Sequence, residues 1–123
     1  MFDHVVIGVS DYATSKAFFL AVLAPLGVTR FNEGPLGIEI SGDGVASLCL
    51  FQTEEKPAKL HIAFIAATRE QVHAFHQAAL AAGGQDNGGP GLRPKYHANY
   101  YAAFVIDPDG HNIEAVCHAP EGR

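Results

Sequence analysis

The chain has 123 residues, 48% hydrophobic and 17% charged, with a formal net charge of −5. That length suits one domain, and a disordered chain would need fewer apolar and more charged residues. The acidic balance and scattered cations exclude nucleic acid as an expected partner, because phosphate binding needs a basic stripe.

Met1 leads directly into a strand-like segment carrying Asp3 and His4, so no signal peptide is expected. Residues 5–9 are a short apolar, partly β-branched run that suits a buried strand. Ser10 or Asp11 can cap a following helix, in which Ala17, Phe18, Ala21, Val22 and Pro25 keep helical spacing up to Gly27. Three strand-like runs come next, at 28–32, 37–40 and 46–52. Glu54-Glu55-Lys56 reads as a charged linker. A second apolar run, 62–66, follows His61. Thr68 with Gln71 then resembles a capping box, and Val72, Phe75, Ala79 and Leu80 mark a second helix ending at Gly83-Gly84. Residues 83–94 are rich in Gly and Pro and read as a mobile loop over a site, standing where another strand is expected. Runs at 100–106 and 111–117 flank Asp107-Pro108-Asp109-Gly110, a strong turn signal.

A repeat organises this order. With His4 laid on His61, HVVIGVSDYATSKAFFLAVLAPLG lies over HIAFIAATREQVHAFHQAALAAGG without a gap. Ala17 then meets Ala74, Phe18 meets Phe75, Ala21 meets Ala78, and Gly27 meets Gly84. The expected fold is α+β: two βαβββ modules, about 1–55 and 56–123, in one domain, with helices on one face of a cupped mixed sheet.

The repeat puts His4 and His61 at equivalent strand starts, and Glu114 interrupts the apolar run Ile113, Ala115, Val116. A carboxylate there faces either solvent or a site. Two imidazoles and one carboxylate form a ligand set that leaves positions open on a divalent metal; Zn, Ni, Mn, Fe and Co all suit it. Close by in sequence, Arg93 is a candidate for binding a substrate carboxylate and His97 for general acid–base work. Tyr100 or Tyr101 could donate to a bound oxyanion. His73, His76, His111 and His118 read as solvated or structural, and Glu39 as a carboxylate out of register for the site. Cys49 and Cys117 sit in apolar runs as free thiols, and the serines lie outside any GxSxG motif.

FDHVVIGVSD, LHIAFIA and YYAAFVIDPDGHNIEAVCH together resemble the vicinal-oxygen-chelate superfamily, which includes glyoxalases, bleomycin-resistance proteins and dioxygenases. The resemblance implies paired βαβββ modules cupped around a divalent metal that chelates vicinal oxygens of a substrate. By position it makes His4, His61 and Glu114 three of the metal ligands. Laying SGDGVASLCL over DPDGHNIEAV sets Leu48 opposite Glu114, so a fourth ligand carboxylate of the glyoxalase I kind is missing. The resemblance further implies a homodimer and a lyase or isomerase acting on a small molecule. A sequestering resistance protein, an Fe(II) dioxygenase and a thiol transferase of the fosfomycin-resistance type are the competing expectations. No apolar run reaches the roughly 20 residues of a membrane span, and a cytoplasmic protein is expected.

Overall fold

The computed structural model describes residues 1–44, 46–56 and 58–121. Strand β1 (His4–Val9) is followed by helix α1 (Tyr12–Leu23), a 3-10 turn (Ala24–Leu26), and strands β2 (Arg30–Gly34), β3 (Gly37–Ser41) and β4 (Ser47–Gln52). The second module repeats the order as β5 (His61–Ile65), α2 (Arg69–Ala81), β6 (Gln85–Leu92), β7 (Tyr101–Ile106) and β8 (Asn112–Cys117). Each module folds into its own four-stranded sheet, ordered β1-β4-β3-β2 and β5-β8-β7-β6. The first strand of each module pairs in parallel with the last, and the other pairings are antiparallel. The βαβββ repeat and the α+β class are therefore as expected.

The helix ends follow the signals in the sequence. Asp11 caps α1, its carboxylate accepting from the Thr14 N–H at 3.1 Å. Thr68 caps α2 by accepting from the Gln71 N–H at 3.1 Å, while Gln71 Oε1 accepts from the Ala67 N–H at 2.6 Å. Such caps satisfy amides that have no partner inside the helix. Gly83, at φ 94°, ends α2 in the left-handed region, which costs glycine little.

The strand β6 corrects the expectation of a mobile loop at 83–94. Its glycines have low strand propensity and hide it from pattern reading, but pairing with β7 supplies the hydrogen bonds the segment needs. Two register shifts, after Asp86 and after Gly88, break the ladder. A glycine is required at the start of this strand, because a Cβ on Gly84 would stand 2.9 Å from Phe18 Cε1 and 2.9 Å from the Ala79 carbonyl oxygen.

Strand alternation sorts the side chains onto two faces. Ile7 and Val9 of β1, Ile38 and Ile40 of β3, and Leu48 and Leu50 of β4 are buried with Phe18, Phe19, Val22 and Leu23 of α1. Val105, Ile113 and Ala115 join Phe75 and Ala79 of α2 in the same core cluster. The two helices also pack against each other, so one apolar core runs through both modules and leaves the opposite face of each sheet free for a site. Among the described residues, no helix is long and apolar enough to cross a membrane.

Asp109, within the turn between β7 and β8, fastens the modules together. Its carboxylate accepts from the Ser10 backbone N–H at 3.2 Å, from the Ser10 hydroxyl, and from the Ser15 hydroxyl at 3.4 Å. Asp109→Ala leaves these donors without their acceptor. It is expected to lower unfolding free energy by roughly 1–3 kcal/mol in urea titrations, with an unchanged denaturant slope.

Candidate functional site

On the free face of the second sheet, the register sets Ala63 of β5 beside Glu114 of β8, and Glu114 beside Phe104 of β7. His61 lies two residues before Ala63 and so shares its face. Its Nε2 stands 2.8 Å from Glu114 Oε1. Glu114 is 1% exposed, whereas the His61 side chain is 54% exposed. A carboxylate buried this deeply in an apolar strand needs partners, and the second comes from Tyr100, whose hydroxyl donates to Glu114 Oε2. Burial, the hydrogen bond to Glu114 and the charge of Glu114 push the Tyr100 phenol up to about 12. At neutral pH it is a donor that fixes the carboxylate, and not a base.

Tyr100 packs in an aromatic group with Tyr96, His97 and His118. The rings of His97 and His118 stack at 4.8 Å, with His97 Nε2 2.6 Å from His118 Nδ1. His97 Nδ1 accepts from the Asn99 N–H at 3.0 Å. A neutral His97 therefore carries its proton on Nε2 and donates it to His118. His118, which the sequence suggests is solvated or structural, is thus part of this group; 21 residues separate it from His97 and no short motif links the two.

Arg93 lies over the ring of Phe104 at 5.3 Å and lines a cavity of about 260 Å³ with Asn87, Gly88, Lys95, Tyr96, Phe104 and Asn112. Tyr101 does not join these residues. One position from Tyr100, it turns to the helix side, where its hydroxyl meets His73 Nε2 at 2.5 Å and its ring underlies Arg69 at 4.7 Å. Strand alternation gives only one of two consecutive tyrosines to the site.

His4 occupies the matching place in the first module, with its Nδ1 2.7 Å from Asp3 Oδ1. It lines a second cavity of about 600 Å³ with Val6, Glu39, Cys49 and Phe51, among others. The two cavities have no lining residue in common. Among the described residues, no three His, Cys, Asp or Glu side chains come close enough together to hold a metal ion. His4, which lies on the edge strand of the other sheet, therefore does not join His61 and Glu114 within one chain.

The register also corrects the residue opposite Glu114. Ala63, two after His61, pairs with Glu114; Val6, two after His4, pairs with Cys49. Cys49, not Leu48, is the counterpart, and Leu48 faces the core. Matching the two turns residue for residue hid this, because the first module holds one more residue between its turn glycine and its last strand. Glu39, the β3 neighbour of Cys49, does face the cavity, and it accepts from the Ser47 hydroxyl at 2.8 Å. Ser47 is the register partner of His4, so each free face carries an imidazole with a carboxylate nearby.

The chemistry of the donors suits a divalent metal. An imidazole nitrogen and a carboxylate oxygen already point at each other, and Tyr100 orients the carboxylate from behind, as outer partners of metal ligands do. A third donor of the His4 kind would complete the set.

The family described as the Glyoxalase/Bleomycin resistance protein/Dioxygenase superfamily matches residues 1–115. A glyoxalase/bleomycin resistance protein from Albidiferax ferrireducens T118 superposes with a TM-score of 0.82 at 30% identity, covering 94% of this chain and 98% of that one. A glyoxalase/bleomycin resistance protein/dioxygenase family enzyme from Burkholderia phytofirmans PsJN gives 0.73 at 20% identity, over 95% and 98%. Oxidase ChaP-H1 gives 0.72 at 19% identity, over 100% and 98%; these last two likenesses are of fold alone. A search of curated proteins returns no match.

If Glu114 accepts the hydrogen bond of the Tyr100 hydroxyl, Glu114→Gln removes the neighbouring charge while burial remains. The phenol is expected to titrate below about 12, toward its ordinary value of 10.0, in ultraviolet pH titration. The Tyr12→Phe background is used because Tyr12, beside Glu33, also lies at about 12. An unmoved titration would contradict the contact.

Proposed function

The chain belongs to the glyoxalase/bleomycin resistance protein/dioxygenase superfamily, and on that premise we propose that it is a glyoxalase-like, metal-dependent enzyme of lyase or isomerase type acting on a small oxygenated substrate. The observation that carries this reading is the buried Glu114 carboxylate held against His61 on an otherwise apolar strand. A sequestering protein has no need of a desolvated carboxylate aimed at an imidazole. In this reading His61, Glu114 and His4 hold the metal. When bound, a divalent ion would supply Lewis-acid stabilisation of negative charge developing on substrate oxygens.

The chain's own residues divide the remaining work. Tyr100 keeps its proton and positions Glu114. His97, donating to His118 through Nε2, is the group we assign to proton movement, since that hydrogen bond gives its ring a partner for passing a proton on. Arg93 and Phe104 form the wall that orients the substrate next to His61, whose ring lies 6.2 Å from that of Phe104. Tyr101 has no part in the site.

We further assign the protein to a homodimer in which each site takes His4 from one chain and His61 with Glu114 from the other. Both His-bearing strands are sheet edges. Exposed apolar side chains accompany them, among them Val6 in β1 and Ile65, 80% exposed, in β5. Uncovered edges with apolar residues invite pairing with another chain. A twofold axis that seats β1 of one chain beside β5 of the other also seats the converse pair, which closes both edges and builds two sites.

Elemental mass spectrometry of protein offered Ni, Zn, Mn and Fe(II) tests this reading. Stoichiometric metal is expected, lost in His61→Ala and in Glu114→Ala and retained in Tyr101→Phe. Unchanged metal in His61→Ala, or no metal under any loading, would overturn it.

A further inference from the structure

The cavity of about 260 Å³ in the second module is cationic in a chain whose net charge is −5. Arg93 and Lys95 both line it, and among the described residues neither is ion-paired with a carboxylate. Of the other cations among the described residues, Lys16 meets Glu33 at 2.8 Å and Arg30 meets Asp43 at 3.2 Å, while Lys56, Lys59 and Arg69 likewise have no carboxylate partner. Asp86, the acidic residue nearest in sequence, meets His76 on α2 at 2.9 Å and accepts from the Gly88 N–H at 3.1 Å.

The Arg93 guanidinium is held in place before any ligand arrives. Its Nη1 donates to the Gly91 carbonyl and its Nη2 to the Gly89 carbonyl, each at 2.8 Å, while its Cζ lies 5.3 Å from the centre of the Phe104 ring. Arginine has five N–H donors; two are used, so three remain for a ligand. Two nearby glycines permit this. A Cβ on Gly88 or on Gly91 would approach a guanidinium nitrogen to 3.2 or 3.1 Å. Lys95 lies over the Tyr96 ring at 5.1 Å. Asn87 Nδ2 donates to Asn112 Oδ1 at 3.2 Å, which leaves the Asn112 amide nitrogen free to donate. The lining is thus rich in donors, with two uncompensated positive charges.

We propose that this cavity binds the carboxylate of the substrate, so that the enzyme acts on a small oxygenated acid. This rests on the function proposed above, for it is the same site: Phe104, which floors the cavity, is the register partner of Glu114 and lies against His61. A carboxylate matches the planar guanidinium fork, and the rigid placement of Arg93 lowers the ordering cost of binding. The oxygens on the carbons next to the carboxylate then face the His61–Glu114 pair.

The test is a titration of the ¹⁵N-labelled full chain, as purified and after chelation, with glycolate and with its uncharged counterpart ethylene glycol. Saturable shifts of the Gly88, Gly89 and Gly91 amides are expected with glycolate only, in both preparations. Lys95→Met, at an exposed position that can lose its charge without loss of fold, is expected to weaken glycolate about tenfold or more, the range for a hydrogen bond to a charged group. Arg93→Met is expected to weaken it further. Equal responses to the two ligands, or glycolate binding indifferent to both substitutions, would overturn the proposal. Metal content of the same samples keeps the two readings apart: glycolate binding in a chain that never takes up metal sustains the cavity's preference and overturns the metal-dependent function.

Discussion

Each of the two sheets ends in an edge strand that begins with a histidine, and within the chain those edges meet no partner strand among the described residues. Most of the molecule's organisation follows from that constraint. The helices and the buried faces of both sheets form one core, so the modules are fixed together through their apolar sides. Their opposite faces carry the cavities, and among the described residues neither face gathers three ligands for a metal. Exposed strand edges are usually blunted by charge, proline or a cover. Here the strands carry Val5, Val6 and Ile65 to the surface. Cover by a second copy, as proposed above, would account for the apolar edges and for a ligand set divided between two chains at once.

The second module is the more prepared half. Glu114 is desolvated and already paired, Tyr100 locks it from one side, and His61 faces it from the other. Arg93, braced by two carbonyls, stands one strand away. Such a preset arrangement spares the reorganisation a flexible site would need on binding. The first module is simpler, with His4 at an exposed edge, Glu39 held by Ser47, and a broad apolar cavity. The two halves thus differ in chemistry although they share a fold: one presents charge and orientation, the other mainly shape.

Much of this was legible in the sequence, because the repeat carries spatial information. Aligning His4 with His61 predicts two equivalent strand starts, and the capping residues Asp11 and Thr68 lie where they are expected. What the sequence hid follows from two physical causes. Glycine has no side chain to reveal alternation, so β6 read as a loop, although its carbonyls are what position Arg93. A single extra residue after a turn glycine changes which side chain faces the site, so Leu48 was set opposite Glu114 where the register puts Cys49. The same alternation separates Tyr100 from Tyr101, which sequence alone left as alternatives. His118 was invisible as a partner of His97 because 21 residues separate them and no short motif links them.

The proposed division of the ligands between two chains is best tested by mixing. His4→Ala and His61→Ala chains are each expected to bind no metal alone. Unfolded together and refolded in equal amounts, they form heterodimers in which one site has lost both histidines and the other is intact. Random pairing in a twofold dimer should therefore restore about a quarter of the wild-type metal content. That recovery is what a shared site predicts. If the mixture stays as empty as its components while wild-type chains refolded alongside regain their metal, the three residues do not meet across a twofold interface, and a metal site shared between two chains is contradicted.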